Sequence, residues 1–189
     1  IINQFNDNRI LSLRTEKNDF NFVNKAFEYT KNEYLMITHD DDIMGKNLIE
    51  NQIKKLDSNE KIGMISCCLN LIDEEGKELH KIRPKIKKDK IWGKHEFLKD
   101  FLFKGDILPC PATIFRSSII KDNKLKYNFE VGPAHDLFLI FKINLLDYYI
   151  YLSKEPMFNY RIHNTQHSNL NRISLEYNIR PHAIKLFKN

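Results

Sequence analysis

The 189-residue sequence has only three cysteines, Cys67, Cys68 and Cys110, and no Cys-x-x-Cys pair. That count excludes a disulfide framework. Cys67 and Cys68 lie inside an apolar run, where a small hydrophobe fits, so the cysteines are expected as reduced, buried residues of a cytosolic protein. No apolar run reaches the roughly 20 residues of a membrane-spanning helix, which excludes an integral protein. The opening Ile1-Ile2-Asn3-Gln4 has neither the basic head nor the apolar centre of a signal peptide. It also lacks an initiator Met, so the chain is expected to begin inside a longer gene product. Internal repeats and low-complexity tracts are absent as well.

What is present suits a globular domain. Apolar residues make up 42% and charged residues 29% of the chain, ordinary values for a packed protein. The length fits one domain with a substantial core. The net charge of +5 is concentrated in the stretch from Lys81 to Lys90, which carries Arg83, Lys85, Lys87 and Lys88 between its ends. The plain reading is a solvated loop. The functional reading is a landing site for an anionic partner such as lipid headgroups or a diphosphate-linked acceptor. The stretch lacks the interleaved aromatics that stack on bases, so nucleic acid is not an expected partner.

Strand and helix signals alternate along the first half. Arg9 to Arg14 reads as a short strand, and Phe20, Val23 and Phe27 recur at helical spacing, predicting a helix over about 20–31 capped by Asn18 or Asp19. Tyr34 to Thr38 reads as a buried strand. Leu48, Ile49, Ile53 and Leu56 predict a helix over about 46–57, and Ile62 to Ile72 another strand, closed by the turn Asp73-Glu74-Glu75-Gly76. Such alternation argues for an α/β sheet with ligands at the strand C-terminal ends. The second half offers a helix from His95 to Lys104 stopped by Gly105, strands at Ala112–Arg116 and Tyr148–Leu152, an apolar helix from Asp136 to Leu146, and a helical tail to Asn189.

The most informative segment is Tyr34-Leu35-Met36-Ile37-Thr38-His39-Asp40-Asp41-Asp42, an apolar strand that runs straight into three carboxylates. Three like charges held close repel one another unless a cation lies among them. A hard divalent ion carrying phosphates would compensate; a solvated acidic turn is the plainer alternative. Asp136 opens the apolar helix just after Gly132-Pro133-Ala134-His135. It is either a helix-start residue favoured by the dipole or a general base aimed into a cleft. Tyr160-Arg161-Ile162-His163, with Ser168 beyond, is dense in polar groups: Arg161 presents an oxyanion-binding fork, and His163 a contact for phosphate or metal.

In order and spacing these segments resemble family 2 glycosyltransferases. The strand and acidic triplet resemble that family's Tyr-apolar-Asp-x-Asp-Asp signature, with His39 standing where the first acid is usual. Asn24 matches the Asn of its Arg-Asn pair, Ile72-Asp73-Glu74-Glu75-Gly76-Lys77 its Asp-x-x-Gly-Lys turn, and His135-Asp136-Leu137 its Glu-Asp-x-x-Leu motif, with His for Glu. Tyr160-Arg161-Ile162-His163 with Ser168 resembles its Tyr-Arg-x-His…Ser motif.

The resemblance covers roughly residues 5–170 and implies a GT-A fold, a mixed, mostly parallel α/β sheet flanked by helices. It also implies inverting transfer of a sugar from a nucleotide-diphosphate donor to an acceptor hydroxyl. Under it, Asp41 and Asp42 hold Mg²⁺ or Mn²⁺, with Asp40 the other available partner. His39, Asp40, Arg161 and His163 contact the donor, and Asp136 is the catalytic base. The acceptor would be a glycan or lipid-linked molecule at the cytoplasmic face of a membrane, in surface-glycan or polysaccharide synthesis. Residues 1–75 would form the donor and metal half, 90–170 the acceptor half and 171–189 a helical tail. The family's first βαβ unit, which grips the nucleotide base, has no counterpart in this sequence and is expected outside it. Two alternatives are a Mg²⁺-dependent phosphatase of the haloacid-dehalogenase type, using Asp40 and Asp42, and a catalytically incomplete domain that acts as an interaction module.

Overall fold

The structure, a computed structural model, describes residues 4–12, 21–105, 108–164 and 172–188. Helix α1 spans Asn21–Tyr29, strand β1 Tyr34–Ile37, β2 Ile43–Met44, helix α2 Leu48–Asp57, β3 Ile62–Ile72, β4 Glu78–Arg83 and β5 Lys90–Trp92. The second half adds α3 Glu96–Lys104, β6 Thr113–Arg116, α4 Ser117–Asp122, α5 His135–Leu145, β7 Tyr149–Arg161 and α6 Arg172–Lys188.

One seven-stranded sheet carries the fold, in the order β1-β6-β3-β7-β2, with β4 paired to β3 and β5 to β7. The expected parallel character is present in direction but not in most pairings. The path β1-α2-β3 is a crossover, and β1 and β3 point the same way because each is antiparallel to β6, which lies between them. Strand β7 runs parallel to β3. The edge strands β2, β4 and β5 pair antiparallel. The sheet is therefore mixed, with β1, β3 and β7 ending on the same side.

Alternation along the strands divides the core into two layers. Met64, Phe115 and Ile150 face one layer with Phe97, Phe101, Leu139 and Phe141 of α3 and α5. Their neighbours Ile65, Ile114 and Tyr151 face the other with Leu48 and Leu56 of α2. Strand β3 is buried along nearly all its length, as expected for a central strand covered on both faces. The thiols of Cys67 and Cys68 sit within it, pushed up to about 11 by burial, which keeps them protonated and inert.

Two sequence expectations change. Residues 9–12 form no strand, because the Asp7 carboxylate accepts from the main chain and guanidinium of Arg9 and fixes a turn; Leu13 and Arg14 lie outside the described residues, as do Asn18, Asp19 and Ser168. The basic stretch is not one loop: its ends are drawn into β4 and β5.

Candidate active site

Strand β1 ends at one margin of the sheet and β2 begins at the other. Residues Thr38 to Asp42 must therefore cross the strand ends. The crossing bends at residues 40–42 and does not run extended, which turns the side chains of His39, Asp41 and Asp42 toward one another. It passes over the C-terminal ends of β3 and β7, where an open α/β sheet binds ligands. Its far end is fixed by Gly45, whose N–H donates to the Met157 carbonyl at 3.0 Å. A Cβ there would lie 2.4 Å from that oxygen, so the approach requires glycine.

The crossing gathers most of the expected site residues. The Asp42 side chain is only 1% exposed. Its Oδ1 accepts the Arg161 main-chain N–H at 2.9 Å, while Oδ2 has no hydrogen-bond partner among the described residues. His39 Nδ1 lies 3.7 Å from that Oδ2, and His163 Nε2 is 3.0 Å from Asp41 Oδ2. Ligand atoms of His39, Asp41 and Asp42 all fall within 4.8 Å of one another. Asp40 is exposed.

Burial raises the Asp42 carboxyl above its ordinary value, and the Asp41 charge adds to the rise, against the Arg161 N–H bond and the positive charges of His39 and Arg161, which lower it. A carboxylate whose folded value is raised costs stability when ionised. That cost applies above its raised value and disappears as pH falls through it toward the unfolded value. A cation at Oδ2 would remove it at neutral pH, so the donor set fits a divalent ion.

Arg161 does something its sequence context did not reveal. Nε donates to the Asp41 carbonyl at 2.7 Å, and one terminal nitrogen donates to the carbonyls of Asp73 at 3.0 Å and Glu74 at 2.8 Å. The guanidinium thus ties the acidic crossing to the β3–β4 turn, which Gly76 closes at φ +87.

Asp136 sits elsewhere, in the first turn of α5. Ala134 holds the N-cap position without a side-chain bond, so Asp136 is not the cap. Its Oδ1 accepts the Leu137 N–H at 2.6 Å. Two buried groups face it: burial and the Asp136 charge both raise the Cys110 thiol and the Tyr127 hydroxyl. The Asn24 side chain clasps Tyr127 from both sides, donating to its carbonyl at 3.1 Å and accepting its N–H at 2.8 Å. Helix α1 is thereby fixed to the segment leading to Asp136. Tyr127 and Cys110 gave no sequence signal of this, since each reads as an ordinary core residue.

A cleft of about 410 Å³ opens beside the basic stretch, with Arg83, Lys85 and Lys90 on its lining and Leu69, Trp92 and Leu152 also contributing. Pro109 forms another wall and directly precedes Cys110. No helix among the described residues is long and apolar enough to cross a membrane.

Among solved structures, the chain resembles crystal structures of S. aureus TarS 1–349. The one in complex with UDP has a TM-score of 0.56 at 13% identity, covering 87% of this chain and 47% of that one. The one in complex with UDP-GlcNAc gives 0.55 at 13% identity, over 87% and 49%. A third, TarS 1–349, gives 0.54 at 14%, over 87% and 47%. The chain thus spans about half the length of these TarS chains, and the likeness establishes a GT-A-like fold. Curated proteins include no match. Residues 1–122 match the sequence profile described as glycosyl transferase family 2. That match covers well over half of the sequence, and the chain belongs to glycosyl transferase family 2.

Proposed function

We propose that the protein transfers a sugar from a nucleotide-diphosphate donor to an acceptor hydroxyl, with inversion at the anomeric carbon. The observation that carries this reading is the His39–Asp41–Asp42 group on the crossing, where a buried carboxylate oxygen has no hydrogen-bond partner among the described residues. Asp136 accepts the proton of the acceptor hydroxyl. The freed oxygen forms its bond to the anomeric carbon as the bond to the diphosphate breaks on the opposite face. The diphosphate leaves with that electron pair. Asp41 and Asp42 would hold Mg²⁺ or Mn²⁺, which supplies positive charge against the departing diphosphate. His39, Asp40 and His163 border the donor, and Arg161 keeps the crossing in place while contributing charge.

One TarS crystal holds UDP and another UDP-GlcNAc, so UDP is the first probe. With Mn²⁺ and UDP at about 100 times the dissociation constant, the folded state gains about 2.7 kcal/mol. For a chain of this size that is a rise of roughly 5–11 °C in melting temperature. Asp41→Ala is expected to abolish the metal-dependent part of the rise. UDP that fails to bind the full-length gene product under any metal condition would sink the transferase reading.

The acceptor is a glycan or lipid-linked molecule presented at the cytoplasmic face of a membrane during polysaccharide synthesis. The cleft lined by Arg83, Lys85 and Lys90 supports an anionic acceptor or membrane surface, because basic residues near such a surface contribute about 1 kcal/mol each. Replacing Lys85, Lys87, Lys88 and Lys90 with Gln should weaken sedimentation with anionic vesicles at low salt and leave UDP affinity unchanged. Wild-type protein that stays in solution with such vesicles at low salt would assign the cleft to a soluble acceptor.

A further inference from the structure

We infer that His39 is a direct ligand of the divalent ion and makes the centre selective for an imidazole-accepting ion of the Mn²⁺ type over Mg²⁺. The inference rests on the transferase reading for the presence of a metal and goes beyond it in naming the ligand that sets which metal.

Three observations converge. First, His39 Nδ1 and Asp42 Oδ2 are 3.7 Å apart. That is too long for a hydrogen bond and leaves no room for a water between them. Two ligands of one ion, each about 2.1–2.2 Å from it, stand roughly 3.0–4.4 Å apart across cis and trans positions. The spacing is that of ligands sharing an ion. The whole set lies within 4.8 Å, a few tenths wider than the trans limit. The His39 side chain is 50% exposed and has freedom to close that difference by a small rotation.

Second, the Asp42 oxygen facing His39 is buried and has no hydrogen-bond partner among the described residues. Burying a carboxylate without compensation is costly. A partner is therefore required, and the neighbouring imidazole approaches without bonding to it. An ion between the two satisfies both.

Third, the surroundings leave His39 in the ligand position. His163 Nε2 is bonded to Asp41 Oδ2 at 3.0 Å, and Arg161 holds the Asp41 carbonyl from the other side. These contacts orient Asp41 as outer partners orient a metal-binding group. His39 instead stands beside the unpartnered oxygen.

The chemistry then decides between ions. Mg²⁺ demands oxygen ligands in near-ideal octahedral geometry. Imidazole suits transition ions, and affinity at mixed nitrogen and oxygen sites rises from Mn²⁺ along the first row. A neutral imidazole in place of a carboxylate also lowers the negative charge of the site by one. That weakens an ion bound by charge alone more than one that gains from the nitrogen.

The test uses the protein without donor. Mn²⁺ binding is read from loss of the free-ion electron paramagnetic resonance signal, and Mg²⁺ binding by its competition. Wild type is expected to prefer Mn²⁺ by at least about 10-fold. His39→Asp, which restores an all-carboxylate set, should raise Mg²⁺ affinity and shrink the preference by about 10-fold or more, the scale on which ligand surroundings act. Bound Mn²⁺ should also show coupling to an imidazole nitrogen by electron spin-echo measurement, lost in His39→Asp and kept in His163→Gln. An unchanged preference in His39→Asp overturns the inference. So does nitrogen coupling that survives in His39→Asp, or failure of Mn²⁺ to bind. Calorimetry of UDP in chelator separates this failure from the larger one: UDP that binds while neither ion does removes the metal assignment and leaves the transferase reading standing.

Discussion

Asp136→Asn is expected to slow sugar transfer by about 10²-fold or more while donor binding persists. The substitution keeps the size of the side chain and an oxygen able to accept the Leu137 N–H. It removes only the capacity to take a proton. Stability should change little, because the N-cap of α5 is Ala134 and no capping bond depends on Asp136. Removing the charge also relieves the buried Cys110 and Tyr127 of an anionic neighbour. The measurement pairs the transfer rate at saturating donor with UDP affinity by calorimetry. A variant that transfers at nearly the wild-type rate would make Asp136 a helix-start residue and nothing more.

Arg161→Met should lower unfolding free energy by about 2–4 kcal/mol, even with no ligand present. The variant keeps an apolar stem and loses every side-chain donor. The carbonyls of Asp41 and Glu74 then lose the guanidinium together, and that of Asp73 keeps only the Gly76 N–H. Each carbonyl left without a partner costs on the order of 1–3 kcal/mol, toward the low end where water can reach it. Urea unfolding of both proteins checks this. The sequence resemblance assigns Arg161 to the donor phosphates. In that role alone it would leave unfolding unchanged and reduce UDP affinity, so the two measurements separate a residue that shapes the site from one that binds in it.

The parts of the fold legible in the sequence were those with strong local signals. The largely apolar run of β3 matched Ile62–Ile72, and Gly105, at φ 72, stopped α3 as expected. Strands set by distant partners were not legible. Only two residues make β2, and they exist because Gly45 can touch Met157. Strand β4 is largely exposed and polar along an edge, so it shows no alternation. Strand β7 runs past Leu152 to Arg161 through a register shift at Ser153–Pro156, a stretch that reads locally as a turn. The antiparallel insertion of β6 between β1 and β3 likewise leaves no mark on either neighbour's sequence.

The site divides in the same way. The acidic triplet, His163 and Asp136 stood out as polar groups beside apolar elements. The partners of Arg161 are main-chain carbonyls 87 to 120 residues away in sequence, and no pattern of side chains encodes them. The phosphatase alternative falls with the family match.

The bent crossing from Ile37 to Ile43, anchored at both ends, also separates two kinds of change that evolution can make there. Swapping one residue for another alters what the span presents, as His39 in place of an acid does, while the anchors at β1 and β2 stay where they are. Losing a residue is different. The shortened span would straighten the bends at 40–42 that bring His39, Asp41 and Asp42 together, or pull Ile43 and Met44 off their pairing with Asn159 and Phe158. Gaining one would shift the carboxylates out of the bend that gathers them. Chemistry at this site is therefore open to tuning by replacement and closed to tuning by length.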